Sequence, residues 1–185
     1  MDQAKEVKLV FPDYKIENEN LANALISNVN LYKKTNTLEI FLQIKELISI
    51  VEIEKISNYI IKRFQVTIVN FKIENQKSEN EINEFIKNDW ENILGSISTK
   101  LPIIKAFMKN SEIEIEKSTI TINIKIKGIE ILKNQRIDEY ISNLVKDIYG
   151  AKFKIEFKET DIANTQKILD DENERIVKNF VEASK

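Results

Sequence analysis

The feature that most constrains the fold is a strictly alternating stretch at residues 112–127. It reads E-I-E-I-E-K-S-T-I-T-I-N-I-K-I-K, so isoleucine occupies every second position on both sides of Lys117 and Ser118. A period of two is typical of a β-strand with one buried face. The stretch therefore predicts a β-hairpin that turns at Lys117 and Ser118, with an isoleucine face that needs an apolar cover. Its polar face is expected to set glutamates opposite lysines.

A second hairpin is predicted nearer the amino terminus. Residues 29–33 and 38–44 alternate on either side of a K-K-T-N turn. Residues 51–64 then change to a helical period, and residues 66–73 return to a period of two. This order is ββαβ. Residues 7–11 also alternate, which indicates a short edge strand or an ordered arm ahead of it.

The second half begins with two predicted helices. Ser78 followed by Glu81 is typical of a helix start, and an apolar stripe of helical period runs over residues 82–97. Gly95 is expected to loosen the end of this helix. Pro102 fits the first turn of another, shorter helix.

A third helix and a final strand follow the 112–127 hairpin. Residues 137–148 carry an apolar stripe that closes at Gly150, a residue suited to the end of a helix. Residues 153–157 alternate once more. The second half thus reads ααββαβ, and its last four elements repeat the ββαβ order of the first half.

Together these patterns predict an α+β fold of two small tandem domains. The polar run at residues 74–83 suggests the boundary, which divides the chain into a ββαβ domain at residues 1–76 and an ααββαβ domain at residues 77–158. Residues 159–185, with seven acidic and four basic side chains, are interpreted as an acidic linker or helix toward a downstream domain.

Composition excludes several kinds of chemistry. The chain has no cysteine and no histidine, which removes disulfides, thiolate zinc sites, cysteine nucleophiles and imidazole bases. No catalytic residue, metal site or cofactor is therefore predicted. The acid cluster of Asp170, Asp171 and Glu172 matches no metal-loop spacing and is interpreted as a solvated helix start. No apolar run is long enough for a membrane span, so a cytoplasmic location is expected.

Nucleic-acid binding is the alternative function. The element order of the second half resembles that of the RNA-binding KH module, which grips the backbone with a GxxG loop. The three glycines do not form that motif, and the net charge of −2 gives no basic excess. Direct nucleic-acid binding is therefore not expected, although an accessory module of this kind stays the second hypothesis.

Three side chains are candidate contacts for a partner protein. Trp90, the single tryptophan, is either a core aromatic or a partly exposed anchor, a role in which tryptophan is enriched. In the second case Asn88 and Asp89 would form the rim of the contact. Phe107 and Met108, on the short helix after Pro102, are further candidates.

Several of these segments resemble a known family. Five segments resemble the amino-terminal region of PolC-type DNA polymerase III alpha subunits of Gram-positive bacteria. Four lie in the second half, W-E-N-I-L, K-L-P-I-I-K-A-F-M-K-N-S, I-T-I-N-I-K-I-K and I-D-E-Y-I, and one lies in the first half, N-V-N-L-Y-K-K-T-N-T-L-E-I. The second domain is also similar to the KH-like amino-terminal domain of the initiator DnaA. The resemblance covers roughly residues 20–158.

The resemblance implies a non-catalytic, protein-interacting fragment of a replicative DNA polymerase. The family's polymerase and 3′–5′ exonuclease domains lie downstream of this region, so no catalytic residue is carried over. The expected partner is the tau subunit of the clamp loader or another replisome protein. Trp90 matches the helix-start tryptophan with which the DnaA domain self-associates, so the resemblance implies an interaction site there.

Overall fold

The structure, a computed structural model, describes residues 4–109, 111–125 and 127–159, without the side chain of Ile103. Its first unit, residues 4–76, contains β1 (Lys5–Glu6), α1 (Val7–Val10), α2 (Glu19–Ala22), β2 (Leu25–Tyr32), β3 (Thr37–Gln43), α3 (Ile50–Phe64) and β4 (Ile68–Glu74). Its second unit, residues 77–159, contains α4 (Glu79–Lys100), α5 (Pro102–Met108), β5 (Glu112–Glu116), β6 (Thr119–Ile124), α6 (Ile129–Asn134), α7 (Ile137–Tyr149) and β7 (Lys154–Glu159).

The predicted α+β class is confirmed, and both halves share one topology. Sheet A has the strand order β1-β2-β3-β4 and sheet B the order β5-β6-β7. In each sheet a hairpin supplies an antiparallel pair, and a helical crossover returns a strand parallel to the second hairpin strand. The repeated ββαβ order thus corresponds to a repeated arrangement. The domain boundary near residue 76 and the KH-like comparison stay predictions.

Local sequence explains where the helices begin and end. Ser78 forms a capping box with Glu81, as predicted, because each side chain bonds a backbone N–H of the other. Gly150 ends α7 in the left-handed region at φ 71°, also as predicted. At the equivalent end of α3, the left-handed residue is Gln65, at φ 54°.

Three expectations need correction. Gly95 does not end α4, which continues to Lys100 because Leu94 and Ile97 on either side of the glycine are buried in the core. Residues 7–11 are not a strand: β1 ends at Glu6 and α1 follows. The hairpin glutamates do not face lysines. They face Thr119, Thr121 and Asn123, because the turn at Lys117 and Ser118 fixes the register and leaves the lysines of the stretch beyond the last glutamate.

The isoleucine face of the 112–127 hairpin is covered, as its alternation requires. Ile120, Ile122 and Ile124 are fully buried within a core that also contains the apolar stripes of α4 and α7. Each such burial stabilises the fold by roughly 1.5–3 kcal/mol. The turn residue Lys117 takes a left-handed conformation at φ 50°.

The two units pack against each other along β4, the outer strand of sheet A. Lys72 of β4 forms a 2.6 Å ion pair with Asp147 of α7, and the Asn75 amide donates to the Tyr149 carbonyl at 2.8 Å. A small cavity of about 90 Å³ lies between α3, β4 and α7. Helix α7 therefore runs beside the edge of β4 and covers it.

Candidate functional site

Two of the three side chains predicted as partner contacts lie inside the second unit. Trp90 on α4 is 4% exposed and Met108 on α5 is 1% exposed. Phe107 is partly buried, with its ring so close to the backbone of Gly128 that a Cβ on this glycine would come within 2.0 Å of the ring. The burial of Trp90 agrees with its interpretation as a core aromatic. Partner binding through these three residues stays a prediction.

The residue before the tryptophan has the most connected polar side chain in the described part of the chain. Asp89 is 5% exposed. Its Oδ1 accepts from the Ser49 hydroxyl at 2.7 Å and from the Asn92 amide at 2.6 Å. Its Oδ2 accepts from the Ile50 backbone N–H at 3.0 Å and from the Tyr149 hydroxyl at 2.6 Å. Four donors therefore satisfy the buried carboxylate.

These bonds join both units at one point. Ser49 and Ile50 begin α3 in the first unit, whereas Asp89 and Tyr149 belong to α4 and α7 in the second. A carboxylate at the start of α3 also meets the positive end of the helix dipole. Burial, and then the bond to Asp89, raise the pKa of the Tyr149 hydroxyl far above its usual range. The arrangement fixes the units together, and the expected rim position of Asp89 is wrong.

Exposed apolar side chains are concentrated on the first unit. Seven of the eight large exposed ones in the described residues lie there, the exception being Ile131. Five of them lie on α1, on β2 and at the end of α3, and we call these five the apolar patch: Leu9, Val10, Val29, Leu31 and Phe64.

Strand register and ring contacts bring the patch together. Val29 pairs with the buried Ile40, and Leu31 pairs with Leu38, so both point to the face of sheet A that α3 covers. Phe11, directly after α1, makes an edge contact with Phe64 at 6.2 Å between ring centroids. Asn36, in the turn after β2, donates to the Gln65 carbonyl at 2.9 Å, so the end of α3 contacts both that turn and the residue after α1.

Basic side chains surround the patch. Lys33 and Lys34 occupy the turn after β2, Lys62 and Arg63 lie in the last turn of α3, and Lys8 belongs to α1. All five are exposed. Lys8 pairs with Glu6 at 2.9 Å and Arg63 approaches Asp13 at 4.0 Å, both at the surface, where such pairs contribute little. We call these five side chains the basic rim, and they leave a basic excess because they outnumber their acidic partners Glu6 and Asp13.

Neither a candidate metal site nor a helix that could span a membrane occurs in the part of the chain that the structure describes. Among these residues, no group of three carboxylates, histidines or cysteines could hold a metal ion. No helix there is long and apolar enough to cross a membrane. The Asp170, Asp171 and Glu172 cluster lies outside the described residues.

The described residues thus present a group of exposed large apolar side chains and a buried polar junction between the two units. Comparison with known proteins shows the family to which this region belongs. The family described as DNA polymerase III polC-type N-terminus I matches residues 6–73, and the one described as DNA polymerase III polC-type N-terminus II matches residues 88–185. The chain belongs to the PolC-type DNA polymerase III family.

A curated relative extends this match. The chain is 27% identical, over 86% of its length, to the PolC-type DNA polymerase III of Clostridium perfringens (strain 13 / Type A), and it spans 11% of that protein. The matched regions are the amino-terminal ones, not the polymerase or exonuclease regions. No solved structure matches the chain significantly.

Proposed function

We propose that this chain is a non-catalytic protein-interaction region of a replicative DNA polymerase and acts within the bacterial replisome. The observation that carries the proposal is the apolar patch. Solvent-exposed clusters of large apolar side chains with a polar rim are typical of protein contact sites. Family membership supplies the replication context.

The proposed partner is the tau subunit of the clamp loader, or another replisome protein, and the proposed location is the cytoplasm, where replication proceeds. No cofactor is part of the proposal. A contact through Trp90 or Met108 would require α4 and α5 to rearrange, because both side chains are buried. We therefore assign the primary contact to the apolar patch.

Titration of the 185-residue chain with purified tau subunit tests the proposal. We expect Leu9→Ser, which removes a side chain that is 66% exposed, to weaken binding about tenfold. Ile131→Ser is the matched control, since Ile131 is 44% exposed but lies on α6, outside the patch. Absence of binding at tens of micromolar, or equal effects of the two substitutions, would contradict the proposal.

A further inference from the structure

Strand β2 has an open edge over its outer half. On one side it pairs with β3 through Tyr32. On the other side β1 pairs only with Leu25 and Ile26. Within residues 4–109, 111–125 and 127–159, no strand lies beside residues 28–32 on that side.

The backbone of this segment is oriented outward. The Val29 N–H donates to the Oδ1 of Asn28 at 2.9 Å rather than to β3. In an antiparallel pair, residues that do not bond the partner strand alternate with those that do. Leu31, two residues further, therefore also directs its N–H and C=O away from β3. These are the groups that an added strand would bond.

The other described sheet edges are protected. Helix α7 covers β4, and β1 consists of the charged residues Lys5 and Glu6. In sheet B, β5 carries Glu112, Glu114 and Glu116, and β7 carries Lys154 and Lys158. Charges and covering elements are the usual means by which proteins prevent edge pairing. Residues 28–32, N-V-N-L-Y, contain neither charge nor proline. This edge is thus the unprotected one.

The surroundings specify the chemistry of the occupant. An added strand would place alternate side chains beside Val29 and Leu31, which are 47% and 52% exposed. Its ends and outer side would meet the basic rim, including Lys33 and Lys34. We propose that residues 28–32 of β2 accept an extended segment of a partner protein, with acidic residues and alternating apolar ones, as an added strand of sheet A.

A second copy of this chain fits this edge less well. Pairing β2 with β2 would bring two basic rims together, and like charges repel. The proposal specifies the contact mode of the proposed protein-interaction function and rests on it.

Nuclear magnetic resonance with a synthetic peptide tests the inference on the intact chain. The probe is a Glu-Val-Glu-Val-Glu-Val peptide, compared with its Lys-Val counterpart. We expect the glutamate peptide to slow amide exchange of Val29 and Leu31 about tenfold and to bind more tightly than the lysine peptide. Absence of this protection, or equal binding of the lysine peptide, would overturn the proposal.

Two variants separate backbone pairing from side-chain contact. Leu31→Pro removes an outward N–H that β3 does not use, so the fold is expected to persist in circular dichroism while peptide binding is lost. Leu31→Thr keeps the N–H and is expected to keep binding within about threefold. Equal affinities of the two variants would refute strand addition.

A shortened chain tests whether the edge is already occupied. The amides of Val29 and Leu31 could already exchange slowly without peptide. If removal of residues 1–3 then abolishes this slow exchange, the chain itself occupies the edge and the proposal fails. Tau titration distinguishes this inference from the proposed function. Tau binding that survives Leu31→Pro refutes the added strand alone, whereas peptide binding without tau binding refutes the tau interaction alone.

Discussion

Asp89 is the residue on which the two units depend most directly. Its partners Ser49 and Tyr149 lie 40 and 60 positions away in the sequence, in the first and second unit respectively. A carboxylate with four hydrogen bonds is tolerated in a core because its desolvation is offset at every lone pair. The residues next to Asp89 in the sequence give no indication that it joins the two units.

The Tyr149 hydroxyl predicts a pH dependence of stability. Its pKa is raised in the folded chain above the ordinary value of 10.0, mainly by burial. Below that value both folded and unfolded chains hold the proton and stability is complete. As the pH rises above about 10, the unfolded chain loses the proton first, so the free energy of unfolding falls by up to about 1.4 kcal/mol per pH unit.

Urea denaturation of the wild type and Tyr149→Phe between pH 7 and 11 measures this effect. The two pH profiles are expected to run parallel up to about pH 9 and then diverge, with the variant losing less stability. Profiles that stay parallel above pH 10 would show that Tyr149 does not contribute this linkage.

At the scale of elements, α3 and α7 occupy equivalent places but end differently. Both are followed by a left-handed residue, Gln65 after α3 and Gly150 after α7. A Cβ at Gly150 would lie 2.9 Å from the Asn75 amide nitrogen, whereas Gln65 is exposed. The glycine is therefore needed both for its conformation and for the approach of β4.

Opposite substitutions at these two positions test the repeat. Gly150→Ala is expected to lower the free energy of unfolding by about 2 kcal/mol, from backbone strain and the contact with Asn75. Gln65→Gly is expected to raise it by about 0.5 kcal/mol, since relief of strain exceeds the entropic cost of glycine. Thermal denaturation measures both, and equal signs would contradict the equivalence of the two helix ends.

Most of the helices and strands could be predicted from the sequence. Periodicity located the hairpins and the long helices, and Ser78 and Gly150 marked helix ends, because each of these signals acts between near neighbours. The register that opposes the hairpin glutamates with threonines and asparagine follows from the predicted turn at Lys117 and Ser118, so the expected glutamate–lysine pairs are inconsistent with that turn. The open edge of β2 required the strand order, which no local pattern encodes.

For the whole molecule, the contacts along β4 indicate that the units unfold together. The Asp89 junction, the Lys72 and Asp147 pair and the Asn75 bond all cross between units. Because of these contacts, we expect a substitution in one unit to change the hydrogen-exchange protection of backbone amides in the other.

Asp89→Ala tests the coupling. It leaves the Ser49 hydroxyl and the buried Tyr149 hydroxyl without their acceptor, so we expect a loss of about 3–5 kcal/mol in unfolding free energy. Native-state hydrogen exchange should show the loss in α3 of the first unit as well as in α7. Glu91→Ala, at an exposed position on the same helix, serves as the control. Loss confined to the second unit would mean that the units unfold independently.

The position of α7 beside β4 also limits how the chain can assemble. With β4 covered, the described part of sheet A offers one accessible edge, so two chains joined through it could meet only edge to edge and would leave no further described edge of that sheet for a third. Assembly of chains through this edge would therefore stop at a dimer. The fold therefore combines a receptive strand with protection against the open-ended, fibre-forming growth to which exposed sheets are prone.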